Sequence, residues 1–218
     1  MLFSFWTAKA GSGATTVCLA LAAMERDGSV LVVDAAGDVP AAVGLAEPEY
    51  GLTDWLAAPG SGAEALARLE VPVAPGVDLL PMGGRRRWTS SRVDALVELL
   101  ARDARTVLVD LGVLDAADPG APGRLRLRLA ADADRSLLVT RPCYLALRRA
   151  ARLPLRPSGV VLVEEPGRSL TRYDLESVLG VPVVGRVEVD ATVARVVDAG
   201  MILRRVPRPL ARALRGVA

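Results

Sequence analysis

Residues 2–24 constrain the fold more than any other part of the chain. Leu2 to Trp6 is an apolar run that reads as a buried strand, and Val17 to Met24 reads as a helix. Between them lies Thr7-Ala8-Lys9-Ala10-Gly11-Ser12-Gly13-Ala14-Thr15-Thr16, a loop of small residues closing on two threonines. Strand, small-residue loop and helix form the layout of a phosphate-binding loop, in which backbone N–H groups and the helix N-terminus hold anionic oxygens. Two positions depart from the pattern G-x-x-x-x-G-K-[ST]: Ala8 stands at the first glycine and Ala14 at the lysine.

The helix is expected to run from Thr15 to Arg26, apolar on most faces, and to end at Gly28. Ser29 to Asp34 is a continuous β-branched run closed by an acid, the form of a parallel strand covered on both faces. Asp34-Ala-Ala-Gly-Asp38 then places two carboxylates at the C-terminal end of that strand, where open α/β sheets build their sites. Asp38 also reads as the cap of the following helix. Thr106 to Asp110 repeats the design, an apolar strand ending in an acid; Asp110 reads either as a metal-directed carboxylate or as a strand-end acid paired with an arginine. Further strands are expected at Val77–Pro81, Ser136–Thr140 and Gly159–Val163. Ser90-Ser91 is expected to cap a helix with Val93, Leu96, Val97 and Leu100 on one stripe. The fold class that follows is α/β, a doubly wound, mostly parallel sheet with helices on both faces, similar to P-loop nucleotide triphosphatases, in one domain over residues 1–218.

Composition narrows the chemistry. Histidine is absent, which removes serine–histidine and cysteine–histidine nucleophiles and His-rich zinc sites. Cys18 and Cys143 are far apart and sit in or beside apolar elements, as buried thiols of a reducing compartment do. There is no 18-residue apolar run and no cleavable signal pattern, so a cytoplasmic protein is expected. Residues 1–140 hold 13 basic and 18 acidic groups, whereas residues 141–218 hold 14 and 7. Residues 141–218 are therefore where an anionic partner, DNA or an acidic membrane surface, is sought. Gly83-Gly84-Arg85-Arg86-Arg87-Trp88 is a second basic stretch, readable as a grip on an anionic partner or as a solvated loop. The tail, residues 204–218, is expected to be a short basic helix with Leu210, Leu214 and Val217 on one face and Arg208, Arg212 and Arg215 on the other. Its leucines are expected to pack on the body rather than on a membrane, although peripheral contact with a membrane remains an alternative.

Lys9-Ala10-Gly11-Ser12-Gly13-Ala14-Thr15-Thr16 resembles the deviant Walker A loop of the MinD/ParA superfamily, K-G-G-x-G-K-T-T, with the early signature lysine kept and the second one lost. Lys9 is the only lysine in the chain, and lysine acts on phosphate as a compact point charge; the alternative is a lysine on an exposed turn. The segments Gly37–Leu45 and Gly51–Leu56 resemble the TadZ/CpaE branch, whose members help to position pilus or secretion machinery.

The resemblance implies ATP or ADP with Mg²⁺ as ligands, held by Gly11, Ser12, Gly13, Ala14, Thr15 and Thr16. It implies that Thr15, Asp34 and Asp110 serve the metal, and that Asp34, Asp38 and Lys9 serve catalysis. Asp34 would orient the attacking water, and Lys9 would reach across a nucleotide-sandwich homodimer. Leu111-Gly112 stands where relatives carry a flexible switch, Glu164-Glu165-Pro166 where they carry an adenine-reading asparagine, and Val181–Gly185 and Asp190–Gly200 resemble their closing strand and helix. Three functions are compatible with these residues. One is a positioning or scaffold protein with a degenerate nucleotide site and impaired hydrolysis, working with a protein partner. Another is an active ATPase in which Lys9 replaces the missing lysine. The third is a DNA- or membrane-binding module using the C-terminal arginines.

Overall fold

The structure is a computed structural model and describes residues 1–25, 28–84, 86–118 and 120–217. Arg26, Arg85 and Ala218, which figure in the expectations above, lie outside the described residues.

In chain order the elements are β1 (Leu2–Thr7), α1 (Ala14–Met24), β2 (Val30–Asp34), α2 (Val39–Ala42), α3 (Leu52–Ala57), α4 (Ala63–Ala67), β3 (Val71–Ala74) and β4 (Val77–Leu80). There follow α5 (Val93–Ala101), β5 (Thr106–Val113), α6 (Ala121–Asp132), β6 (Arg135–Thr140), α7 (Tyr144–Ala150) and β7 (Gly159–Glu164). The chain closes with α8 (Arg172–Leu179), β8 (Val183–Glu188), α9 (Ala191–Asp198) and α10 (Arg208–Ala213). The strands form one sheet in the order β3-β4-β2-β5-β1-β6-β7-β8, parallel throughout except for β3.

Because successive side chains leave a strand on opposite faces, each fully apolar strand feeds two cores. Leu2 and Trp6 of β1, Leu31 and Val33 of β2, and Val107 and Val109 of β5 pack under α3 to α8. Phe3, Phe5, Val30, Val32 and Leu108 pack on the other face under α1, α2, α9 and α10. The central β1 is buried along its whole length. Its polar atoms are paired within the core, where Trp6 Nε1 donates to Ser136 Oγ at 2.9 Å and Ser4 Oγ to the same oxygen at 3.1 Å.

Several expectations need correction. Val77 begins the fourth strand, because Val71–Ala74 forms an antiparallel edge strand before it; Pro72 is compatible with that edge position. Ser90–Arg92 is a 3-10 turn and its serines form no cap, although Val93, Leu96, Val97 and Leu100 are buried as expected. β5 does not stop at Asp110 but continues through Leu111 and Gly112 to Val113, so the segment expected to be a flexible switch is part of the central sheet. The last strand lies two to three residues later than expected. In the tail only Arg208–Ala213 is α-helical, and Leu210, Leu214 and Val217 are buried against the sheet. Arg148 and Arg149 are exposed on α7, which covers one face, and Arg208 and Arg212 on α10, which covers the other.

Candidate functional site

The loop between β1 and α1 is shaped by its own polar groups. Thr7 Oγ1 and Ser12 Oγ both donate to the carbonyl of Lys9, at 2.9 and 2.8 Å, and tie the loop into a closed turn. Gly11 and Gly13 have φ of 77° and 90°, and an added Cβ would meet nothing within 4 Å at either position. Backbone conformation, not space, therefore requires glycine here. Gly13 is the N-cap of α1 and no side chain caps that helix. Among the described residues, none of the amide N–H groups from Gly11 to Thr16 donates to a backbone carbonyl. These unspent donors at a helix N-terminus are of the kind that can cradle an anion.

The cradle opens into a cleft of about 380 Å³ lined by Ala10 to Thr16 together with Thr7, Ala36, Asp38, Gly112, Val113 and Arg126. Gly112 has φ 60° and lies so close to Ala36 that an added Cβ would stand 2.8 Å from the Ala36 Cβ. The wall of the cleft is thus made of small residues from two neighbouring strand ends.

Asp110 lies under the cleft and is fully buried. Its Oδ1 accepts from the Gly112 N–H at 3.1 Å, while Oδ2 has no hydrogen-bond partner. Burial pushes its pKa up to about 7; the Thr15 hydroxyl opposes the shift, the Asp34 charge adds to it and the Gly112 N–H opposes it. An unsatisfied buried carboxylate oxygen beside a threonine hydroxyl, at the foot of an anion cradle, is a donor set suited to a hydrated divalent cation carried in with a polyphosphate. Among the described residues no group of three or more Cys, Asp or Glu is arranged to hold a metal ion by itself.

The other site candidates are placed differently. Asp34 is buried, and its carboxylate is taken up by the turn after β2: Oδ1 accepts from Ala36 and Gly37 N–H at 3.0 and 2.6 Å, and Oδ2 from Val39 N–H at 3.3 Å. Burial raises its pKa, the three N–H groups oppose the rise, and Asp38 adds to it. Asp34 therefore caps α2, the role considered for Asp38, whose own side chain makes no cap bond. Asp38 is exposed and lines the cleft. Ala14 is buried at the first turn of α1. Lys9 is exposed and does not line the cleft; its charge falls instead near Cys143, where it joins the Ala146 and Leu145 N–H groups in lowering the thiol pKa. Cys18, buried behind Asp110 and Asp34, has its thiol pushed well up by burial and by those two charges. At the end of β7, Glu164 pairs with Arg186, and Glu165 with Arg141 and Arg168.

The contributor missed by sequence reasoning is Arg126 on α6. Its segment, Arg124-Leu-Arg-Leu-Arg-Leu129, alternates with the period of a strand. The usable signal was Gly120-Ala-Pro122, since proline at the first helical positions marks a helix start.

A mostly parallel eight-stranded sheet, with the glycine-bearing loop after its central strand leading into a helix, defines an α/β fold of the P-loop nucleotide triphosphatase type, matching MinD/ParA structures. The chain resembles MinD from Pyrococcus horikoshii OT3, solved as a complex with Mg-ADP, at TM-score 0.75 and 20% identity over 97% of this chain and 91% of that one. It also resembles a ParA family ATPase from Chlorobium tepidum TLS, at TM-score 0.65 and 21% identity over 98% and 95% of the two chains. An ATP complex of a substituted McdA from Cyanothece matches at TM-score 0.71 and 12% identity, over 100% and 96%. At these identities the fold is what is shared. No protein-family model matches the sequence, and no curated protein matches it.

Proposed function

We propose that this protein is a MinD/ParA-like positioning or scaffold protein that binds a magnesium nucleotide weakly and hydrolyses it slowly or not at all. One observation carries the reading: the loop keeps its anion cradle but places no cation in it, because Ala14 is buried at the lysine position and Lys9 does not line the cleft. Gly11 to Thr16 would hold the phosphates through backbone N–H groups, and Thr15 and Asp110 would serve the metal, which would neutralise phosphate charge. Loss of one charge-assisted hydrogen bond costs roughly 1.5–3 kcal/mol, or about one to two decades in affinity. The ion-paired Glu164 and Glu165 stand where an adenine-reading asparagine would be needed, which favours recognition of phosphates over base. A TadZ/CpaE-like role beside a secretion or pilus-type partner rests on the segments after β2.

A homodimer through the cleft face is part of the proposal. Lys9 is exposed beside the cleft rather than in its lining, and Tyr144 and Leu145, at the start of α7 near it, are 69% and 43% exposed. Such apolar surface next to the lone lysine suits a partner subunit.

The test is calorimetric titration of Mg-ATP into the wild type, Lys9→Ala and Ala14→Lys, with phosphate release measured alongside. The expected result is weak binding by the wild type, tighter by about tenfold or more in Ala14→Lys, with turnover well below that of the Ala14→Lys protein. Wild-type turnover equal to that of Ala14→Lys would overturn the impaired-site reading, and absence of binding in both would overturn the nucleotide reading.

A further inference from the structure

A loop without its lysine still faces the problem of phosphate charge. A nucleoside triphosphate brings three to four negative charges into a cleft whose rim holds Asp38 and behind whose Gly112 lies the buried Asp110. Neutral N–H groups and one metal ion leave that charge incompletely balanced. The chain supplies a cation from elsewhere in the sequence.

Arg126 stands on the second turn of α6, half-buried, and is the only basic side chain that lines the cleft among the described residues. Its Nε donates to the carbonyl of Ala35 at 3.0 Å. Ala35, immediately after β2, is 2% exposed and donates its own N–H to the Asp110 carbonyl at 2.9 Å, so the anchor belongs to the rigid centre of the sheet. Arg126 forms no ion pair among the described residues. By contrast Arg86, on the wall of the neighbouring cavity of about 530 Å³, is held by Asp54 at 2.7 Å. Arg126 lines that cavity as well, and so stands between the two spaces. A guanidinium with Nε committed to the scaffold keeps its two terminal nitrogens, four N–H donors in a planar fork, for a ligand. That fork matches phosphate oxygens, and a cation fixed by one hydrogen bond loses little further freedom on binding.

We infer that Arg126 is the phosphate-binding cation of this cleft, supplying from α6 the charge that Ala14 omits from the loop. The inference rests on the nucleotide reading above. Its ligand class is a nucleoside di- or triphosphate, with the outer phosphates as the groups contacted. The arrangement differs chemically from a loop lysine, because Arg126 couples bound phosphate to the position of α6.

The experiment titrates ATP, ADP and AMP with Mg²⁺ into the wild type, Arg126→Gln, Ala14→Lys and the double variant. Glutamine keeps an N–H for the Ala35 carbonyl and removes the charge, and thermal melting verifies folding. Arg126→Gln is expected to weaken ATP and ADP by roughly 10- to 100-fold and AMP far less, as loss of a charge-assisted contact to the outer phosphates requires. Ala14→Lys is expected to strengthen ATP more in the Arg126→Gln background than in the wild type, since the two cations then serve one function. ATP binding that is unchanged in folded Arg126→Gln would overturn the inference and leave the nucleotide reading intact. Additive effects of the two substitutions would also overturn it, and this comparison holds even if one variant is less stable. Absence of ATP binding in the wild type and in Ala14→Lys would instead remove the nucleotide reading itself, and the inference with it.

Discussion

Asp34 and Asp110 are partners in register on the adjacent parallel strands β2 and β5, both fully buried, and their carboxylates are satisfied to different degrees. Asp34 accepts three backbone N–H groups, whereas Asp110 accepts one and leaves Oδ2 unpaired. The first closes a turn; the second leaves a buried carboxyl oxygen unpaired near the loop between β1 and α1.

Stability is expected to fall as pH rises from about 4 to about 7 and then to level off. The pKa of Asp110 is raised from 3.8 to about 7 in the folded protein, so across this window the folded state holds a proton that the unfolded state has released. The native state then binds more protons, and unfolding becomes easier with increasing pH, by an amount on the order of 4 kcal/mol for a shift of this size. Urea denaturation at pH 5 and pH 8 measures it. Asp110→Asn removes the titrating group, and its stability is expected to change much less across the same window.

Binding of a magnesium nucleotide is expected to release a proton near neutral pH. A cation near Asp110 favours the carboxylate, drawing the pKa down from about 7 and discharging about half a proton at pH 7. Calorimetric binding enthalpies in buffers of different ionisation enthalpy report the number directly. The release should be absent in Asp110→Asn, and an equal release in that variant would place the titrating group elsewhere.

Ser136→Ala is expected to cost about 1–3 kcal/mol, because it leaves the indole N–H of Trp6 buried without an acceptor. Ser136 is remote from the cleft lining, so nucleotide affinity should be unchanged. A denaturation midpoint identical to that of the wild type would show that the core rearranges to supply another acceptor.

Gly51→Ala is expected to destabilise by about 1–3 kcal/mol, the usual cost of overpacking. A Cβ on Gly51 would lie 2.2 Å from the Pro81 carbonyl oxygen and 2.7 Å from the Gly83 nitrogen, and neither is a flexible side-chain end. Gly28→Ala is the control: a Cβ there meets nothing within 4 Å, and a change within about 0.5 kcal/mol is expected. Thermal melts of the two variants side by side distinguish close approach from a general intolerance of alanine.

The amino-acid sequence by itself determined the elements whose signal is local. Apolar runs ending in acids mark β2 and β5, and the run before the small-residue loop marks β1, because a strand buried on both faces needs uninterrupted apolar residues whatever its neighbours. The loop was legible for a similar reason: Gly11 and Gly13 meet local backbone requirements, and the threonines sit on the first turn of the helix they open. Tertiary structure alone decided which charges meet in space. The bonds that make Asp34 a cap are local, to N–H groups two, three and five residues further on, whereas tertiary structure left Asp38 exposed on the rim of the cleft. It also placed Lys9 outside the cleft and divided the C-terminal arginines between two faces of the sheet. Arg126 shows the limit most clearly. Its segment alternates with a strand's period, and α6 follows a strand three residues longer than the Asp110 terminus had indicated. The route of Arg126 into the cleft depends on a hydrogen bond to Ala35, 91 residues away in sequence. A contact of that range is set by how β2, β5 and α6 pack together, and no local pattern of residues encodes it.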